Sequence, residues 1–333
     1  MEKLIFVDDD LPGITRRRAG RGWAYYDPHG RLITDKAERK RLNAIALPPA
    51  YRDAWFCPAD NGHILATGID DKGRKQYRYH PDFRARRECE KFDACVTFGK
   101  LLPLVRQRVD EDLAARDLHR ERIVATVIRL LDLGILRVGN ERYAKTNKSF
   151  GATTLRRRHA EVTGKTLRLR YTAKSGKMRE IVLSDRHLAM VVGKLQDLPG
   201  QRLFQYVDGD QAYHSVTSGD VNEYLCEAMG EHFTAKSFRT WHASVLAFDF
   251  LAHATEKVTI QALTQEVASK LGNTPAVTRK SYIHPAIFEL VENQEEWRGS
   301  LCLPRPTKWL TREERGFISF LESQPSAEAL LAA

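Results

Sequence analysis

Two hydrophobic patterns divide the chain. Up to about residue 85, apolar positions come in short clusters separated by turn signals. Gly22-Trp23-Ala24-Tyr25-Tyr26 is an aromatic run closed by Asp27-Pro28-His29-Gly30, after which Arg31-Leu32-Ile33-Thr34 resumes an extended pattern. Trp55-Phe56-Cys57 and His63 to Thr67 flank Asn61-Gly62, a dipeptide that predicts a hairpin turn. Asp70-Asp71-Lys72-Gly73 predicts a further turn, Pro48-Pro49 opens an irregular stretch, and one short helix is expected near residues 35 to 43.

Near residue 90 the period changes. Phe92, Val96, Phe98, Leu101, Leu102 and Val105 recur at helical spacing, and residues 118 to 133 are apolar around most of a helix. Residues 166 to 184 switch to period two, with Lys174-Ser175-Gly176-Lys177 as the turn of a hairpin. Helices are expected at 185–198, 218–229, 236–254, 257–271 and 285–296, with Gly272 as a C-cap. The last 20 or so residues predict a final helix and a weakly ordered Ala-rich end. The fold class is therefore α+β: a small β-rich domain over 1–88, then a mainly helical domain with a small β-sheet over 89–333.

Charge narrows the partners. Lys and Arg total 53 against 43 acids, for net +10 and a pI near 9.4, which favours a polyanion. Residues 145 to 179 concentrate this charge, with eleven Lys or Arg and one acid, Glu161. A charge run is ordinarily a solvated face, but so one-sided a field favours contact with a phosphate backbone. The five cysteines form no CxxC pair, so free thiols in a reducing cytosol are expected and a structural metal is not. The acidic start of the chain is unlike a signal peptide, and no apolar run reaches the roughly 18 residues of a membrane span. A cytoplasmic protein is expected.

Candidate chemistry lies at a few positions. Tyr282 follows Arg279-Lys280-Ser281, and its phenol is a nucleophile that needs a positive field to attack at neutral pH. Arg137 follows an apolar run, where a charge is costly unless paired or functional; a salt bridge with Glu141 is the structural alternative. Lys174 at a hairpin tip and Arg239 in Lys236-Ser237-Phe238-Arg239 are unremarkable one by one, and His284 reads as structural. Gly73 to His80 interleaves cations, an amide and aromatics, a composition that suits DNA as well as an exposed strand. Together, a phenol, two guanidiniums and an ammonium can attack a phosphodiester.

In this order the residues resemble the active site of type IB DNA topoisomerases, in the compact bacterial form similar to the poxvirus enzyme. The resemblance covers roughly residues 10 to 290. Its most specific parts are Asn61 to Pro81, Arg137-Val138-Gly139-Asn140-Glu141, Lys236 to His242 and the segment around Tyr282. It implies the tyrosine recombinase and type IB topoisomerase catalytic fold. It also implies that Tyr282 forms a 3′-phosphotyrosyl link, that Arg137 and Arg239 bind the nonbridging oxygens, and that Lys174 is the general acid. Asn273 stands nine residues before the tyrosine, where poxvirus and cellular enzymes have histidine. Its amide can donate a hydrogen bond but carries no charge. Arg74, Lys75, Gln76, Tyr77 and Tyr79 fall where the poxvirus enzyme touches DNA. The implied protein is a monomer clamped on double-stranded DNA in the nucleoid. It relaxes supercoils of both signs without ATP, metal or other cofactor.

Two other readings compete. A tyrosine recombinase or integrase shares the chemistry, but usually has histidine where this chain has Lys236 and a helical rather than β-rich first domain. A non-catalytic DNA-binding protein would not need a competent residue at every catalytic position.

Overall fold

The computed structural model describes residues 3 to 332; Met1, Glu2 and Ala333 lie outside it, so the acidic start and the Ala-rich end are met only up to those positions. The described chain forms two compact units, the first ending at Glu90 and the second beginning at Lys91.

The first unit is a five-stranded antiparallel sheet with one helix. Its elements are β1 (Ile14–Ala19), β2 (Gly22–Tyr26), α1 (Lys36–Ala44), β3 (Arg52–Phe56), β4 (Ile64–Ile69) and β5 (Lys75–Tyr79). The sheet order is β2-β1-β3-β4-β5, so β5 is an edge strand. Asp35 caps α1 by accepting from the Glu38 N–H at 2.7 Å. Leu42 of that helix packs with Ile14, Tyr25, Leu47, Phe56 and Ala66 into a separate small core.

Asp70 to Gly73 turns as expected. Gly73 adopts φ 68°, and the Asp70 carboxylate accepts from the N–H groups of Lys72 and Arg74 at 3.0 and 2.9 Å. Two expectations are corrected. Asn61-Gly62 is not a two-residue hairpin turn: β3 ends at Phe56 and β4 starts at Ile64, so a longer loop joins them. The Asn61 carbonyl instead accepts from Ile5 N–H at 3.0 Å, drawing the start of the chain onto this loop. Arg31 to Thr34 forms no strand of its own: it lies on the free edge of β2 as an isolated bridge, Leu32 to Tyr26, with Ile33 N–H donating to the Tyr25 carbonyl at 2.9 Å.

In the helical region, α2 (Pro81–Ala114) starts before the apolar period does. Proline suits a first helical position, and the charged residues that follow carry too few apolar side chains to show a stripe. Then come α3 (Arg120–Gly134), α4 (Glu141–Asn147), β6 (Ala160–Thr163), β7 (Thr166–Thr172), β8 (Met178–Ser184) and α5 (Arg186–Gln196). β6 joins the expected hairpin to make a three-stranded sheet, β6-β7-β8. A short pair, β9 (Gln205–Val207) and β10 (Tyr213–Ser215), precedes α6 (Ser218–Met229), α7 (Ala235–His253) and α8 (Ile260–Leu271). Next comes a helix the pattern did not predict, α9 (Pro275–Ser281), again with proline at its start. The helix expected at 285–296 is two, α10 (Ala286–Glu292) and α11 (Gln294–Ser300), broken at Asn293. The chain closes with α12 (Arg312–Glu322) and α13 (Ala327–Ala332), a short helix where weak order was expected. Among the described residues no helix is long and apolar enough to cross a membrane.

A buried charge network ties four helices of the second unit together. Arg106 of α2 reaches Asp132 of α3 at 2.8 Å and Glu314 of α12 at 2.7 Å, and His242 of α7 reaches Asp132 at 2.8 Å. Burial opposes ionisation of Asp132, but the charge of Arg106 and the bond from His242 hold it well below the usual carboxylate range. Replacing Arg106 with alanine would leave two buried carboxylates without their cation. Arg106→Ala should therefore cost about 3–5 kcal/mol in denaturant unfolding; a loss under 1 kcal/mol would show the network to be dispensable.

Candidate active site

The site is built where α3 and α8 end, beside α7. Arg239 lies on α7 and is 3% exposed. Its Nη1 donates to the Ile135 carbonyl at 2.5 Å, just past α3. Its Nη2 donates to the Leu271 carbonyl at 3.1 Å, the last residue of α8, and to Asn273 Oδ1 at 3.3 Å. Helix C-termini offer unpaired carbonyls and the negative end of the dipole, a suitable place for a cation. Among the described residues no carboxylate pairs with it. Burial and the Arg137 charge push its guanidinium down to about 10.

Arg137 reaches the same amide: its Nη2 donates to Asn273 Oδ1. The structural alternative fails here, since Glu141 pairs with Arg202. The segment after α3 is fixed by backbone. The Arg137 and Val138 carbonyls accept from Ala152 and Thr153 N–H at 2.8 and 2.7 Å. Gly151 makes this crossing possible, because a Cβ there would lie 2.5 Å from the Arg137 oxygen. Asn273 spends its oxygen on the two guanidiniums, and its Nδ2 is buried with no partner among the described residues, which leaves it a donor to spare.

Tyr282 ends α9. The Arg239 guanidinium carbon lies 5.1 Å from its ring centroid. Its carbonyl lies 3.2 Å from Ser244 Oγ on α7, and the same hydroxyl accepts from His284 N–H at 2.9 Å. One helix therefore supplies both the cation beside the phenol and an anchor for its backbone. Burial raises the phenol's pKa, but Arg239, Arg137 and Lys236 outweigh it and the net direction is downward. His284 is structural: it is buried, its ring is 5.4 Å from Phe92, and burial pushes it down to about 4.

Lys174 is not brought into this cluster. It sits exposed in a turn between β7 and β8, and among the described residues it makes no ion pair or side-chain hydrogen bond. A guanidinium missed by the pattern does join the cluster. Arg179 of β8 donates to the Lys270 carbonyl at 2.7 Å. It is in phase with the inward residues Ile181 and Leu183, and an arginine on that face was the available signal.

The other predicted contacts lie on and beside β5 of the first unit. The rings of Tyr77 and Tyr79 stack there, 5.7 Å apart and 9° from parallel, and both are exposed. The polar three are engaged with acids. Arg74 pairs with Asp70 at 2.6 Å, Gln76 donates to the same carboxylate at 3.1 Å, and Lys75 pairs with Asp9 at 2.8 Å and Asp10 at 3.4 Å. Two groups of described residues gather metal-ligating side chains, Asp249 with His253 and Glu313, and Asp8 with Asp9 and Asp10. Neither includes a candidate catalytic side chain.

Comparison with known proteins places the chain in a family. Residues 80–298 match the family model for the catalytic core of eukaryotic DNA topoisomerase I, and residues 22–70 match the N-terminal domain of bacterial DNA topoisomerase IB. The chain is 31% identical to DNA topoisomerase 1B of Acanthamoeba polyphaga mimivirus, over 86% of this chain and 90% of that protein. It is 20% identical to DNA topoisomerase 1B of vaccinia virus strain Copenhagen, over 69% of this chain and 73% of that protein. Against DNA topoisomerase 1 of Mycosarcoma maydis it is 27% identical, over 55% of this chain and 20% of that protein.

The field around Tyr282 has a measurable consequence. In an ultraviolet pH titration, the difference between the native chain and Tyr282→Phe should show one phenol ionising below pH 10. A difference curve centred at or above 10 would mean that burial, not the guanidiniums, controls this tyrosine.

Proposed function

The chain belongs to the type IB DNA topoisomerases, and from that membership we propose how its residues cut and reseal one strand. A phosphodiester enters the space beside Tyr282, and Arg137, Arg239 and the free Nδ2 donor of Asn273 hold its nonbridging oxygens. The phenol loses its proton to solvent and its oxygen attacks phosphorus. The bond to the 5′-oxygen breaks, and Lys174 donates the proton that this poor leaving group needs. A 3′-phosphotyrosyl ester results. The free end rotates, the 5′-hydroxyl attacks the ester, and Tyr282 and Lys174 regain their starting forms. One phosphate ester replaces another, so ATP is not consumed.

The observation that carries this reading is the convergence of Arg137 and Arg239 on Asn273 beside the Tyr282 ring, with no acid among the described residues pairing either guanidinium. Buried and half-buried cations without acids form a site for an anion. Lys174 has to approach from its exposed turn when DNA is present, a movement suited to a flexible four-carbon stem. The second unit has the mixed composition expected of the tyrosine recombinase and type IB topoisomerase catalytic fold, and that assignment is part of the proposal. So is the monomeric clamp on duplex DNA, to which the first unit brings β5.

The direct test is relaxation of negatively and positively supercoiled plasmid in EDTA without ATP. The native chain should relax both, and Tyr282→Phe neither, while DNA binding persists. Normal covalent adduct from Tyr282→Phe would remove the nucleophile assignment.

A second expectation concerns Lys75. Asp9 and Asp10 occupy it where a phosphate would bind. An exposed pair is worth roughly 0.2–1 kcal/mol, so Asp9→Asn with Asp10→Asn should tighten DNA binding by about two- to fivefold at low salt. Unchanged or weaker binding would show that these acids do not compete with DNA for Lys75.

A further inference from the structure

The hairpin that carries Lys174 has little holding its tip. Residues 174 to 178 are exposed, and the turn runs through two successive left-handed residues, Ser175 at φ 66° and Gly176 at φ 75°. Such a tip samples many positions, whereas a proton donor must be within hydrogen-bond reach of its acceptor. Arg179 lies five residues after Lys174, directly across the ladder from Tyr171.

Its side chain leaves the sheet and reaches the turn that bears Asn273. The hydrogen bond from Nη2 to the Lys270 carbonyl is, among the described residues, what joins this hairpin to that turn. Gly272 makes room for it. The residue is left-handed at φ 64°, and a Cβ there would run into Arg179 Nη1. The end of α8 therefore does two things at once: Gly272 caps the helix, and its missing side chain admits the guanidinium. Like Arg137 and Arg239, Arg179 has no carboxylate partner among the described residues, and its Nε is buried without a partner.

We propose that Arg179 is a positioning residue for proton delivery, a latch that holds the β7–β8 hairpin against the Lys270–Asn273 turn so that Lys174 reaches the 5′-oxygen. This rests on the general-acid reading of Lys174. Arg179 acts on the hairpin and not on the phosphate, because one Nη is committed to the Lys270 carbonyl and the other lies against Gly272. Burial and the Arg137 charge work against its ionised form and Tyr171 works for it, and an arginine stays charged throughout.

The test is single-turnover cleavage of two substrates, ordinary DNA and DNA with a 5′-bridging phosphorothiolate, whose thiolate leaves without a proton. Arg179→Gln should cleave ordinary DNA about ten- to hundredfold more slowly, part of the range removed with a general acid, and cleave the phosphorothiolate at nearly the native rate. Arg179→Lys, which keeps a donor and the charge, should fall between, and it serves as the probe if the glutamine variant does not fold. Arg179→Gln combined with Lys174→Ala should be no slower than Lys174→Ala alone. Equal defects on both substrates, or additive losses in the double variant, would overturn the latch and put Arg179 on the phosphate or in the fold. Lys174→Ala is the control: if the phosphorothiolate fails to rescue it, the general-acid reading itself falls, a different failure from rescue of Lys174→Ala alone.

Discussion

The site depends on one constraint: a guanidinium, Arg239, buried to 3% exposure without an acid beside it among the described residues. Burying such a charge costs several kcal/mol unless its protons are taken up. Here backbone takes up protons of the two terminal nitrogens, through the carbonyls of Ile135 and Leu271, the two positions where α3 and α8 stop, while Nε has no partner among the described residues. Those ends must therefore lie where they do. The segment that leaves α3 carries Arg137, and the segment that leaves α8 carries Asn273. The helix that holds Arg239 also holds Ser244, whose hydroxyl meets the carbonyl of Tyr282. Three candidate positions, Arg239, Arg137 and Asn273, are thus tied together around the hydrogen bonds of one side chain, and the same helix anchors the fourth, Tyr282, through Ser244.

Arg106 shows the opposite solution in the same unit. Two carboxylates surround it, and burial is offset by pairing. Such an arginine is finished; it has nothing left to offer a ligand. Arg239, Arg137 and Arg179 share carbonyls and one amide but, among the described residues, no carboxylate, so their charge remains uncancelled there. Three uncancelled guanidiniums repel one another, and that repulsion is relieved by an anion. A phosphate with two nonbridging oxygens meets the requirement, and more strongly still when charge builds on those oxygens during attack. The same field lowers the Tyr282 pKa against the effect of burial.

The sequence carried much of this, for reasons that can be stated residue by residue. Helices α3, α7 and α8 bury apolar faces, and burial writes itself into spacing. The β7–β8 hairpin alternates because one face meets the core. What stayed hidden depended on neighbours distant in sequence. The charged start of α2 and the short α9 have weak apolar stripes, so only proline marked their first turns. Asn61-Gly62 suggested a tight hairpin, but the loop there also receives the start of the chain at Ile5. Arg179 was counted among eleven basic residues, although its phase with Ile181 and Leu183 set it apart. Lys236 in place of histidine and a β-rich first unit separated topoisomerase from recombinase in the sequence, and the relatives agree with that separation.

The two units handle positive charge in opposite ways, and exposure explains why. On β5 the cations come with acids: Arg74 with Asp70, and Lys75 with Asp9 and Asp10. The Lys75–Asp10 pair is exposed and exchanges partners at little cost, whereas Asp70 is buried beside Arg74. The strand's stacked tyrosines add a contact that no internal acid can mimic. At the candidate active site Arg239 is buried and Arg137 and Arg179 are half-buried, where a change of partner costs more. There the side chains stand in place before any ligand arrives, held by carbonyls that a phosphate does not displace. Reversible grip suits a protein that must bind and leave DNA. Fixed charge suits a step whose transition state lasts too briefly for side chains to rearrange.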